Sequence, residues 1–159
     1  MTSQLFTYHK GKVIQALRYH FITRKEIRFM MVLVNVFAIV SAALFFMRKI
    51  DPLAFLISSV LWFALMLAFW YFLPMAIYKK TATFKEQLSA TLNDNGILLE
   101  NDRGSQHWNW TQFESMIESP HFFHLYFSSR SFFILPKDAF PGDDAHEARK
   151  LMRTNIKKG

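Results

Sequence analysis

Two long runs without a formal charge decide what this chain can become. Residues 29–47 and 52–78 hold 19 and 27 residues free of Asp, Glu, Lys and Arg. At 1.5 Å per residue the first run makes a helix of about 28 Å, the hydrocarbon thickness of a bilayer. The second would reach about 40 Å, too long for one upright crossing. We therefore expect its crossing at Leu53 to Leu73, with Trp70 and Tyr71 at the headgroup level and Pro74 bending the last turn into the interface. Only Arg48, Lys49, Ile50 and Asp51 separate the runs, which predicts an antiparallel hairpin whose second helix opens at Asp51-Pro52. A soluble protein burying the same hairpin is the alternative.

Charge sets the orientation. The first 28 residues carry six Lys and Arg, and Lys79, Lys80 and Lys85 follow the second run. By the positive-inside rule both termini are cytoplasmic, in a multi-pass protein of the bacterial inner membrane. A signal peptide fits poorly despite Ser41-Ala42-Ala43, because a polar segment precedes the first run and more apolar residues follow it. Arg24, Lys25, Arg28, Trp70, Tyr71, Lys79 and Lys80 are the residues expected at the membrane interface. Within the hairpin, Ala38 and Ala42 make a small-xxx-small face, and Ser41 comes opposite Ser58 and Ser59. Asn35 falls opposite Leu65 and Met66. It either bonds its own helix or interfacial water, or marks a face for self-association or a partner.

The flanks read differently. Val13, Ile14, Leu17 and Phe21 recur at helical spacing among Lys10, Lys12 and Arg18, an amphipathic helix that lies on lipid or covers a domain. Thr23 to Glu26 has the capping-box pattern that restarts a helix into the first run. After Lys80, short alternating segments predict antiparallel strands at 87–92, 97–100, 105–110, 113–117, 122–127 and 131–135. A closing helix opened by Asp144 and Glu147 follows, with Ala148, Leu151, Met152 and Ile156 on one stripe. Gln4 to Tyr8 is a candidate extra strand. The expected architecture is thus an α+β membrane protein: an N-terminal segment 1–28, a transmembrane hairpin 29–78, and a small antiparallel sheet or barrel at 79–159 closed by a helix.

The hairpin followed by Asn95-Gly96-Ile97, Trp110, Glu118-Ser119, Phe123, Tyr126, Phe133-Ile-Leu-Pro136-Lys137 and Phe140 resembles the YcxB-like family. The resemblance implies a pleckstrin-homology-like cytoplasmic domain and transfers no catalytic or binding residue.

Chemistry is sparse. With no cysteine there is no disulfide, thiolate metal site or thiol nucleophile. His121 and His124, three apart in a strand, face opposite sides, which argues against a metal pair. Asp143, Asp144 and Glu147 suit a first helical turn better than an acidic site. No phosphate loop, nucleophile elbow or acid–base pair is present, so neither an enzyme nor a cofactor is expected. The basic excess lies at the membrane flank, since residues 79–159 hold eleven cations and ten anions, which disfavours nucleic acid. Six of the twelve residues 122–133 are aromatic and alternate across both faces of a strand. Phe122 and Tyr126, with Trp108, are candidates for a partner surface unless the chain's own helices cover them. The resulting expectation is a non-enzymatic binding module at the cytoplasmic face of the inner membrane, in contact with lipids and with a protein partner or its own copy. An immunity protein that occupies a bacterial toxin and a lipid or ligand sensor are the alternatives. A neighbouring toxin gene would favour the former, and a co-purifying lipid the latter.

Overall fold

The computed structural model describes residues 1–156. Its elements are β1 (Phe6–Thr7), α1 (Lys10–Thr23), α2 (Lys25–Phe46), α3 (Pro52–Leu67), a π-helical segment (Ala68–Phe72), α4 (Leu73–Lys80), β2 (Gln87–Asn93), β3 (Gly96–Asn101), β4 (Gly104–Asn109), β5 (Ser115–Glu118), β6 (Phe122–Tyr126), β7 (Phe132–Pro136) and α5 (Asp144–Asn155). The described residues divide into a β unit, residues 1–16 and 81–156, and a helical unit, Leu17–Lys80. The division by contacts runs through α1, because the N-terminal residues are strand partners of β2.

In the β unit the strands form two antiparallel sheets, β1-β2-β3-β4 and β5-β6-β7. They do not close into the expected barrel. A 3-10 turn, Trp110–Gln112, ends the first sheet, and its capping box between Asn109 and Gln112 fixes the chain's exit before β5. The extra N-terminal strand is present: Phe6 pairs with Leu88, and Thr2 bridges Thr91. The β2–β3 turn rests on Asn93, whose Oδ1 accepts the amides of Asn95 and Gly96. A Cβ at Gly96 would run into the Trp108 carbonyl oxygen of β4, so only glycine lets these strands approach.

The core comprises Leu88, Ala90 and Leu92 of β2, Ile97 and Leu99 of β3, all of β6, most of β7, and Ala148 and Met152 of α5. On α1, Val13 and Ala16, which belong to the β unit, are buried, so this part of the helix is not open to lipid.

In the helical unit, Lys25–Phe46 and Pro52–Lys80 are each long and apolar enough to cross a membrane. Their turn is a Schellman motif: Lys49 N–H donates to Leu44 O, Arg48 N–H to Phe45 O, and Arg48 takes the left-handed conformation at φ 55°. Pro52 opens α3 at its first position, where its missing N–H costs nothing. The capping box expected at Thr23 to Glu26 is not formed. The Thr23 hydroxyl donates back to His20 O, Arg24 takes the N-cap position without a side-chain cap, and Arg24 and Glu26 come within 3.9 Å.

Candidate functional site

Alternation along the strands brings Leu88, Leu99, Asn101, Gly104, Gln106 and Trp108 to one face of the first sheet, with Leu99 opposite Gln106 and Asn101 opposite Gly104. Phe133 of β7 meets this face from the second sheet, its ring 5.2 Å from that of Trp108. Between them opens a cleft of about 370 Å³, within the size range of ligand cavities. Its floor is apolar, since Leu88, Leu99 and Phe133 are buried. Its rim is polar: Glu86 accepts Asn101 Nδ2 at 2.7 Å and the Arg103 guanidinium at 3.0 Å. Half-buried Trp108 also touches Phe127, at 5.0 Å between rings. It alone of the three expected surface aromatics is partly open.

Phe122 and Tyr126 do not form a partner surface: they are 2% and 7% exposed. The alternation of β6 is as expected, but both faces are covered by other parts of the β unit. The Tyr8 ring stacks 6.4 Å from Phe122, and Phe132 lies 5.5 Å from Tyr126. Tyr8 also donates its hydroxyl to Ile134 O at 2.8 Å, and burial pushes its pKa up. His124 on the same strand is fully buried, with Nε2 2.8 Å from Ser119 Oγ, whereas His121 is exposed. Asp144 and Glu147 lie in the first turn of α5, and Asp143 is its N-cap residue without a side-chain cap bond.

A charged clasp lies on Phe123. Glu118, at the end of β5, receives Lys137 at 2.7 Å, the Arg149 guanidinium in a two-point contact (2.7 Å from Nη2, 3.0 and 3.1 Å from Nε), and Arg153 at 3.3 Å. Lys137 and Arg149 sit 5.4 and 5.8 Å from the Phe123 ring centroid. The Arg149 hydrogen bonds hold the Glu118 carboxyl down at about 2 against the opposing effect of burial, with Lys137 assisting. Chemically the cluster is a fastener: it ties β5, the turn after β7 and α5 together, and its cations are spent on one carboxylate. This site was not foreseen from the sequence. Its signal was the basic pair Arg149 and Arg153, four apart on the closing helix.

In the helical unit, Ser41 and Ser58 hydroxyls meet at 2.7 Å, while Ser59 turns to Phe55 O. Asn35, expected opposite Leu65 and Met66, is bonded to two other residues. Its Nδ2 donates to Met31 O at 2.7 Å, and its Oδ1 accepts the indole N–H of Trp62 at 3.3 Å, because that long side chain reaches across the pair. Its needs are met within one chain, which removes the reason to see in it a self-association mark. Ala38 and Ala42 line a cleft of about 330 Å³ with Ser41, Ser58, Ser59 and Trp62. Among the expected interface residues, Arg24 and Lys25 start α2, and Arg28 Nε donates to Ile22 O at 3.3 Å. Exposed Lys79 and Lys80 occupy the last turn of α4, where the helix dipole favours cations. Trp70 and Tyr71 are both 49% exposed in the π-helical segment.

No curated protein and no solved structure matches the chain. Residues 92–152, from the end of β2 through most of α5 and including Trp110, Glu118, Phe123 and Lys137, match the family described as YcxB-like protein, the family that the sequence resembles.

Proposed function

We propose that the chain is a membrane-anchored binding module without catalysis, with its β unit, of pleckstrin-homology-like fold, held at the cytoplasmic face of the inner membrane by the two-helix hairpin. The observation that carries this reading is the discontinuity of the β unit. Its first strand precedes the hairpin and pairs with β2, which follows it. A domain assembled from both ends of a hairpin fits an even number of crossings, which supports both flanks in one compartment, and the cation excess beside the hairpin supports the cytoplasm as that compartment. The exposed apolar surface of the helices supports lipid as their solvent. Leu53, Leu56, Ile57, Val60 and Phe63 of α3 are each at least 59% exposed, and α3 buries no residue. Four strands, then three, then a C-terminal helix is the order that supports the pleckstrin-homology-like reading.

The test has two arms. A tag at either end is expected to resist protease added outside intact spheroplasts, and cleavage there would overturn the anchoring. Purification in mild detergent with mass spectrometry of everything retained is expected to return a stoichiometric protein partner or a second copy. A chain that comes out alone and monomeric would overturn the protein-binding role. A second reading, a lipid or ligand sensor, is favoured by the cleft beside Trp108 and Phe133. A small molecule carried through the same purification would select it.

A further inference from the structure

Pro74 has no N–H to offer the carbonyl four residues earlier, that of Trp70, and the chain widens into a π-helical segment just before it. Arg18 of α1 takes up that carbonyl. Its Nε donates to Trp70 O at 2.8 Å, and its guanidinium carbon lies 5.1 Å from the centroid of the Trp70 ring. An arginine on the surface is ordinarily a floppy cation; this one is held by a hydrogen bond from Nε and by an aromatic ring beneath its guanidinium. Nε is the donor that the contact consumes. The two terminal nitrogens, which form the fork that fits an oxyanion, have no hydrogen-bond partner among the described residues.

The flanks of the hairpin are cationic. The open end of the hairpin carries Arg24, Lys25, Arg28, Lys79 and Lys80, and Glu26 is the one carboxylate in the same flanking stretches. Trp70 and the adjacent Tyr71 are half-exposed, the pattern of side chains that sit where headgroups begin. We propose that Arg18, preset by Trp70, is a phosphate-binding residue, and that its ligand is the phosphodiester of a phospholipid headgroup. The proposal rests on the reading that the hairpin crosses a bilayer; the chemistry it names, a tetrahedral oxyanion on a guanidinium fork, is shared with free phosphate.

The full chain, delipidated in a neutral sugar detergent, would be titrated with phosphatidylglycerol, with diacylglycerol bearing the same tails, and with inorganic phosphate. Native mass spectrometry reads the lipids and calorimetry the ion. We expect one phosphatidylglycerol to bind at least tenfold more tightly than diacylglycerol, and Arg18→Lys, which keeps the charge but loses the fork, to abolish that preference. Pro74→Ala, which offers Trp70 O a competing N–H and removes no charge, is expected to weaken it several-fold. Trp70→Phe, which leaves the carbonyl in place, serves if either variant loses its helical circular dichroism. Equal retention of phosphatidylglycerol by the wild type and Arg18→Lys, or of diacylglycerol and phosphatidylglycerol by the wild type, overturns the site. Inorganic phosphate binding that depends on Arg18 without lipid preference keeps the phosphate site and replaces its occupant. Carbonate extraction of the wild type separates the two readings: release from membranes sinks the anchoring, while the dependence of phosphate binding on Arg18 still decides the site.

Discussion

The β unit and the helical unit treat apolar side chains in opposite ways. Phe123, Leu125 and Leu135 are fully buried, whereas Phe46, Leu53 and Phe29 are 85%, 67% and 68% exposed. Both sets are apolar, so side-chain chemistry does not separate them; what separates them is the solvent each is suited to. The β unit supplies its own interior and secures it with charge, the Glu118 clasp, and with buried hydroxyls such as those of Tyr8 and Ser119. The helical unit has an outside as greasy as its inside, and the contacts that give its helix pair a register are a few hydroxyls and amides.

A matched pair of truncations should separate the two units most clearly. Phe123→Ala should cost about 3–5 kcal/mol, because the ring is wholly enclosed and carries the cations of the clasp. Leu56→Ala, at a site 59% exposed, should change stability by no more than about 0.5 kcal/mol. Hydrogen exchange in detergent, read separately on β6 and α3, measures both. Equal costs would mean that the helices are covered by protein after all.

The second test addresses charge in the β unit. Glu118→Gln leaves three cations facing one another and should cost about 2–4 kcal/mol. The native carboxyl is also acid-sensitive. Its folded pKa, about 2, lies below its ordinary value of 4.5, so its contribution is complete above about pH 4.5 and is lost as the pH falls toward 2. A thermal melt of the wild type should therefore fall in that window, and the melt of Glu118→Gln should fall less. Parallel curves would remove the clasp as a source of stability.

Legibility in the sequence followed distance along the chain. The strand faces of β2 and β6, the Ser41–Ser58 contact and the stripe on α5 were all readable, since each depends on periodicity or on counting back from a tight turn. The Glu118–Arg149 pair is separated by 31 residues and Tyr8–Ile134 by 126, and nothing local announces either. Cover of Phe122 and Tyr126 by the chain itself was one of the two readings the alternation allowed; that Tyr8 and Phe132 contribute to it was not readable, because those segments are brought in by the fold. At Thr23 a local pattern misled, because the hydroxyl had a competing carbonyl one turn back. The π-helical segment before Pro74 was foreseen only as a bend.

Smaller effects sharpen the helical side. Arg48 holds a left-handed conformation that costs a residue with a Cβ about 1 kcal/mol, so Arg48→Gly should stabilise the turn by roughly that amount. Slower hydrogen exchange at the amides of Arg48 and Lys49 would register it. Faster exchange there would mean that the Arg48 side chain supports the turn.

Ser41→Ala should have the smallest effect and carries the most specific information. The Ser41 hydroxyl is the one side-chain polar group of α2 that is buried, and it meets Ser58 across the helix pair. In water, deleting one partner of a buried hydrogen bond would strand the other at a cost of about 1–3 kcal/mol. Ser58 is not stranded, because its hydroxyl also lies 2.8 Å from Phe55 O of its own helix and can turn to it. The expected loss is therefore only about 0.6 kcal/mol, the average for polar contacts between membrane helices. Ser41→Ala combined with Ser58→Ala should cost no more than Ser41→Ala alone, since the cross-helix bond is already gone. If the double variant loses clearly more in the same unfolding assay, each hydroxyl has a separate partner, and the pair is held by more than the contact between them.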